Sequence, residues 1–145
     1  MYDTILAPTD GSGGTAKTLE HAISIATDND ATVHGLYVLD RRMYLAADSS
    51  AQEDVIESLE SDGEAALKRL RTQIETEGVP VVTELRQGIP HRTILRYAQE
   101  IGADMIVMGT HGRTGRDRLA NLGSVTQRVV ENADIPVLVV NIADT

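Results

Sequence analysis

The chain predicts an α/β fold: a doubly wound, five-stranded parallel sheet sandwiched by helices in a single domain, residues 1–145. Three observations carry this. Segments rich in β-branched residues alternate with segments whose apolar residues recur every 3.6 positions. The 145 residues, 41% of them hydrophobic, suffice for one sizeable core and not for two. Glycine-rich stretches follow directly on two of the strand-like runs, where an open parallel sheet presents its carboxyl edge.

Residues 4–8, TILAP, are a short apolar run stopped by Pro8, and residues 31–40, ATVHGLYVLD, are β-rich and end in charge, so both read as strands. Between them, residues 12–30 set Ala16, Leu19, Ala22, Ile23 and Ala26 at helical spacing, completing a strand–helix–strand unit. Residues 40–51, DRRMYLAADSSA, hold no period and read as a mobile connection. From about 52 to 77, Val55, Ile56, Leu59, Ala66, Leu67, Leu70 and Ile74 follow a helical period, with Glu53, Asp54, Glu57, Glu60, Asp62 and Glu64 as the solvated face. Residues 79–88 give a third strand and 89–102 a helix with Pro90 in its first turn. Residues 104–110 give a fourth strand, about 122–132 a helix, and 135–142 a fifth strand. No internal repeat interrupts this order. Right-handed crossovers fix the doubly wound arrangement, and ligands of such sheets sit outside the carboxyl ends of strands where the strand order reverses.

Composition narrows the function. Without cysteine there is no disulfide framework, no thiol chemistry and no thiolate metal site. The N-terminus lacks a basic flank and cleavage site, and no stretch reaches membrane-spanning length, so the expected location is the cytoplasm, with no membrane partner. The net charge is −9, basic charge is eleven Arg against only Lys17 and Lys68, and Phe and Trp are absent. Such a surface suits a halophilic cytoplasm, where salt screens self-repulsion; an ordinary acidic protein is the plainer alternative. Against this background residues 109–128 carry four arginines and one aspartate, a local +3, leaving −12 for the rest. A patch this small fits a local anion and not a nucleic acid, which needs many phosphate contacts at once.

The basic stretch is MGTHGRTGRDRLANLGSV, residues 108–125. Gly109 at a strand end lets a ligand approach the backbone, while Gly112 and Gly115 allow the positive φ that converges amide groups. Gly123 and Ser124 open a helix whose free N–H groups and dipole attract phosphate; Ser124 and Thr126 add hydroxyls, and Arg113 adds charge. The same glycines can equally shape a turn, with Ser124 as a helix cap. No Gly-Lys-Ser/Thr occurs, and the glycines follow the fourth strand instead of the first, so neither the Walker loop nor the dinucleotide fingerprint matches. Asp10, after the first strand, is a candidate cofactor contact or a capping partner for the helix near Ser12. A phosphoacceptor role lacks the late-strand lysine it needs. His21, His34, His91 and His111 show no ligand spacing, so no metal ligand is assigned, and no Ser-His-Asp arrangement marks a catalytic site.

Taken together, ILAPTDGS, LYVLD and IVMGTHGRTG…LGSVTQRVV…IPVLVV resemble the universal stress protein family from Ile5 to Val140. The resemblance implies the adenine nucleotide alpha hydrolase-like form of the fold and, in the subgroup with glycines at these positions, ATP binding. Carried over by position, Pro8, Thr9 and Asp10 line the adenosine pocket and Val38 packs on adenine. Met108, Gly109, Gly112 and Arg113, with Gly123, Ser124, Val125 and Thr126, hold ribose and phosphates. Mg or Mn is expected on the phosphates. The family pattern has nine residues between the second glycine and the Gly-Ser pair, whereas RTGRDRLANL supplies ten. A homodimer is implied through the last strand, about residues 137–141 (Val137, Leu138, Val139, Val140, Asn141), which is apolar on both alternations and hazardous as a bare edge. The expected role is a nucleotide-dependent stress-response or signalling module with little or no hydrolysis. A structural or chaperone-like dimer that binds no nucleotide is the alternative.

Overall fold

The computed structural model describes residues 1–110 and 122–142. Its five strands, β1 (Thr4–Thr9), β2 (Thr32–Asp40), β3 (Val81–Gly88), β4 (Met105–Gly109) and β5 (Val137–Val140), form one parallel sheet in the order β3-β2-β1-β4-β5. The helices are α1 (Thr15–Asn29), α2 (Arg41–Leu45), α3 (Gln52–Thr76), α4 (Pro90–Ile101) and α5 (Ser124–Asn132). The chain moves from β1 outward to β3, then jumps back across β1 to β4 and on to β5. The strand order therefore reverses between β1 and β4, as the alternation of elements predicts.

Alternate side chains of a strand face opposite ways, and each face of this sheet has its own core. Ile5, Ala7, Val33, Met105 and Val107 pack with Leu19, Ala22 and Ile23 of α1 and with Leu70 and Ile74 of α3. Leu6, Leu36, Ile106 and Met108 pack with Ile94 and Tyr97 of α4 and Val129 of α5. Thus α1 and α3 cover one face, and α4 and α5 the other. At about 25 cal/mol per Å² of apolar area, these wholly buried Leu, Ile and Val side chains are the main stabilising term.

β1 takes its register from both neighbours. It pairs with β2 from Thr4↔Thr32 to Thr9↔Tyr37, and with β4 through Ile5↔Met105 and Leu6↔Ile106. Asp104, just before β4, pins the start of β1: its Oδ2 accepts the N–H groups of Asp3 and Thr4 at 2.8 and 3.0 Å.

Residues 40–51 depart from the expected connection. Asp40 ends β2 and caps α2, its Oδ1 accepting the Arg42 N–H at 3.0 Å, a favoured N-cap arrangement. The carboxylate also grips the Arg42 guanidinium, Nε–Oδ1 at 2.9 Å and Nη2–Oδ2 at 2.7 Å. That bidentate pair holds a helix too short to show a period. No described helix is long and apolar enough to cross a membrane.

Candidate functional site

Where β1 and β4 part company at the carboxyl edge, the sequence places a polar turn after one and a glycine-rich segment after the other. Thr9 is buried, and its Oγ1 accepts the Gly11 N–H at 3.0 Å and lies 2.9 Å from the Thr15 hydroxyl, tying the turn to the start of α1. Asp10 does not cap α1. Gly14 is the N-cap, and the exposed Asp10 carboxylate accepts the Ser12 N–H at 2.9 Å, tightening the turn instead.

On the other side, three hydrogen bonds fix the exit of β4. The Thr110 N–H donates to Val140 O at 2.9 Å, the Gly123 N–H donates to Thr110 O at 2.6 Å, and the Thr126 hydroxyl donates to Gly109 O at 2.9 Å. The chain leaving β4 and the first turn of α5 are thereby held side by side. Thr126 is buried, so its proton serves this tie and not a ligand. Gly123 is the N-cap of α5 at φ −60°, ψ 152°, a conformation open to any residue, and no side chain among the described residues caps this helix. The N–H groups of its first turn face the carboxyl edge with the positive end of the helix dipole behind them.

Gly109 also meets a packing demand. A Cβ there would stand 3.1 Å from both Ile142 Cδ1 and Thr18 Oγ1, closer than ordinary contact, so glycine eases the packing between β4, α1 and the chain after β5. Its missing side chain points to the α1 face, away from α5.

The sheet sorts the remaining candidates by face. Met108 belongs to the core under α4 and α5, and Val38 and Val125 pack against that same core. Pro8 shares the face by the two-residue alternation from Leu6. Pro8, Val38, Met108 and Val125 thus form an apolar floor on the α4/α5 side, bordered by Thr9 and Asp10 on one flank and by Gly123 and the exposed Ser124 on the other. Gly112, Arg113 and the ten-residue spacing lie outside the described residues, apart from Leu122. Thr15, Thr18 and Thr110 are the site-building residues that local reasoning missed, since a threonine that ties two elements carries no periodic signal. Among the described residues no group of three or more His, Asp or Glu is placed to hold a metal.

The family model described as universal stress protein family matches residues 1–141. Universal stress protein MJ0531 of Methanocaldococcus jannaschii is 41% identical over 141 residues, 97% of this chain and 82% of that one. The solved structure of MJ0577 from the same organism superposes with a TM-score of 0.88 at 31% identity, covering 100% of this chain and 99% of that one. A universal stress protein of Archaeoglobus fulgidus solved in complex with dAMP shares the fold, with a TM-score of 0.69, 22% identity and coverage of 96% and 97%.

Proposed function

Since this chain belongs to the universal stress protein family, we propose that its carboxyl edge binds ATP and that the protein acts as a nucleotide-dependent stress-response or signalling module with little or no hydrolysis. The observation that carries this reading is the uncapped first turn of α5, fixed beside the end of β4 and over an apolar floor. An apolar floor suits a base and free helix N–H groups suit phosphate. In this reading adenine lies on Val38 and Pro8, and Thr9 and Asp10 border the ribose. Met108 and Gly109 support the phosphates from β4, while Gly123, Ser124, Val125 and the backbone N–H of Thr126 hold them from α5. Gly112 and Arg113 complete the cradle. The complex of the Archaeoglobus fulgidus protein with dAMP is in keeping with an adenine nucleotide on this fold.

Mg or Mn, in this proposal, enters with the phosphates it neutralises, because the described residues supply no cluster of ligands for an ion of its own. The protein is further proposed to be a cytoplasmic homodimer joined through β5, and its acidic surface to suit a halophile. Calorimetric titration with ATP and ADP tests the site. Gly123→Val is expected to weaken ATP by about tenfold or more, a loss of ~1.4 kcal/mol, through occlusion of the α5 turn. The φ of −60° admits valine, so the loss of glycine at the N-cap is expected to lower the thermal midpoint only by the modest cost of a poorer cap. Absence of binding below millimolar in the parent would overturn the reading in favour of a structural dimer.

A further inference from the structure

A second feature of the same edge lies outside the site just described. Ser124 and Arg128 are four residues apart on α5, about 40° around the axis from one another, whereas the buried Thr126 and Val129 point to the sheet. Arg128 therefore continues the exposed side that Ser124 begins. α4 packs against α5 on the same sheet face, and Pro90 at its first position sets His91 and Arg92 in the first turn, at the carboxyl edge. No side chain among the described residues caps α4 either. Arg42 arrives from a third element, held at the end of β2 by Asp40.

Desolvation first, and then the positive charges of Arg128, Arg92 and Arg42, hold the His91 pKa below its ordinary 6.5. The chain has 22 carboxylates for 13 Lys and Arg, yet among the described residues neither Arg92 nor Arg128 has an acidic partner. Arg92 and Arg128, on two packed helices and with no acidic partner among the described residues, carry charge that a bound anion would offset. Guanidinium groups recognise phosphate by paired hydrogen bonds.

We propose that Arg42, His91, Arg92 and Arg128 form a second phosphate subsite, which takes the distal phosphoryl groups of a nucleotide whose chain starts at the first turn of α5. The subsite rests on the nucleotide reading for its ligand, and it favours nucleotides by the length of the phosphate chain. Arg128 bridges the two regions, and His91 and Arg92 receive the end of the chain. Arg42, partly neutralised by Asp40, closes the far side.

The test is titration of the whole protein with AMP, ATP, adenosine 5′-tetraphosphate and inorganic tripolyphosphate, using the parent, Arg92→Gln/Arg128→Gln, and a charge-matched control, Lys68→Gln/Arg69→Gln on α3. All four substituted side chains are exposed, so the variants fold. The expected result is a loss of about tenfold or more for tetraphosphate and tripolyphosphate in the arginine pair, with AMP within about twofold and the control unchanged. Equal loss for AMP and tetraphosphate, or equal loss in the control, overturns the subsite. Should the parent bind no adenine nucleotide, tripolyphosphate alone still decides: binding that the arginine pair weakens upholds the subsite, and no binding, or binding the pair leaves unchanged, overturns it.

Discussion

Thr126 joins the two halves of the candidate site with one hydroxyl. It is buried, its proton goes to Gly109 O, and no other side chain in the described residues is bonded to that carbonyl. Thr126→Val keeps the shape but strands the carbonyl, so a loss of about 1–3 kcal/mol in urea denaturation is expected, with Thr126→Ser retaining most of it. Histidines give a second prediction. Burial lowers the pKa of His34, whose Nδ1 lies 3.3 Å from the Tyr97 hydroxyl, and burial followed by the arginine charges lowers that of His91. A lowered histidine pKa means that the unfolded chain takes up protons first. The stability these groups contribute is thus complete above 6.5 and falls as pH drops through 6.5 toward the lower folded values. Asp40, held down chiefly by its hydrogen bond from Arg42, and Glu100, by that from Arg86, follow the same sign at their ordinary values of 3.8 and 4.5. The urea midpoint is therefore expected to fall in two stages, one between pH 7.5 and 5.5 and one below about 4.5. A flat midpoint across the first window would contradict the histidine assignment.

At the level of elements, α3 shows where sequence periodicity succeeds and what it omits. Its apolar period runs from Val55 to Ile74 with a gap only at Gly63, so the helix was legible at nearly its full extent. The role of Gly63 within it was not. A Cβ there would stand 2.6 Å from Tyr37 Cδ1 and 2.8 Å from Leu85 Cδ1, side chains of two different strands. In an exposed helix Gly→Ala gains about 1 kcal/mol; here overpacking against a buried ring costs about 1–3 kcal/mol, and packing wins. Gly63→Ala is expected to lower the thermal midpoint, and a rise would show that α3 stands off from Tyr37. The same division runs through the site. The carboxyl-edge rule and the glycines located both loops, because turn chemistry is local. The Thr126–Gly109 tie spans 17 residues and the Ile142–Thr110 contact 32, and nothing in a single strand or helix announces such partners. α2 was lost for the opposite reason, as five residues are too few to show a period.

For the molecule as a whole, the two sheet edges differ. β3 carries Glu84 and Arg86, with Arg86 bonded to Glu84 at 3.0 Å and to Glu100 at 2.6 Å, so charge guards that side. β5 reads VLVV, with three of its four residues only half-buried, and has no such guard. In the proposed dimer through β5, Val139→Asp is therefore expected to shift sedimentation at micromolar concentration from dimer to monomer. A parent that already sediments as a monomer would refute association through β5. The place of β1 between β2 and β4 has a consequence in time. During synthesis α1, β2, α3 and β3 follow β1 directly, but its other neighbour starts 100 positions later, at the Ile5↔Met105 pair. The first-made half waits with one flank of β1 open, and Ile5 and Ala7 lack the cover of Met105 and Val107 until that seam shuts. Such distant closure is the slow kind of folding step. Pro8 and Met108 lie on opposite sides of the seam, so a nascent chain released before residue 105 carries only half of the proposed nucleotide berth.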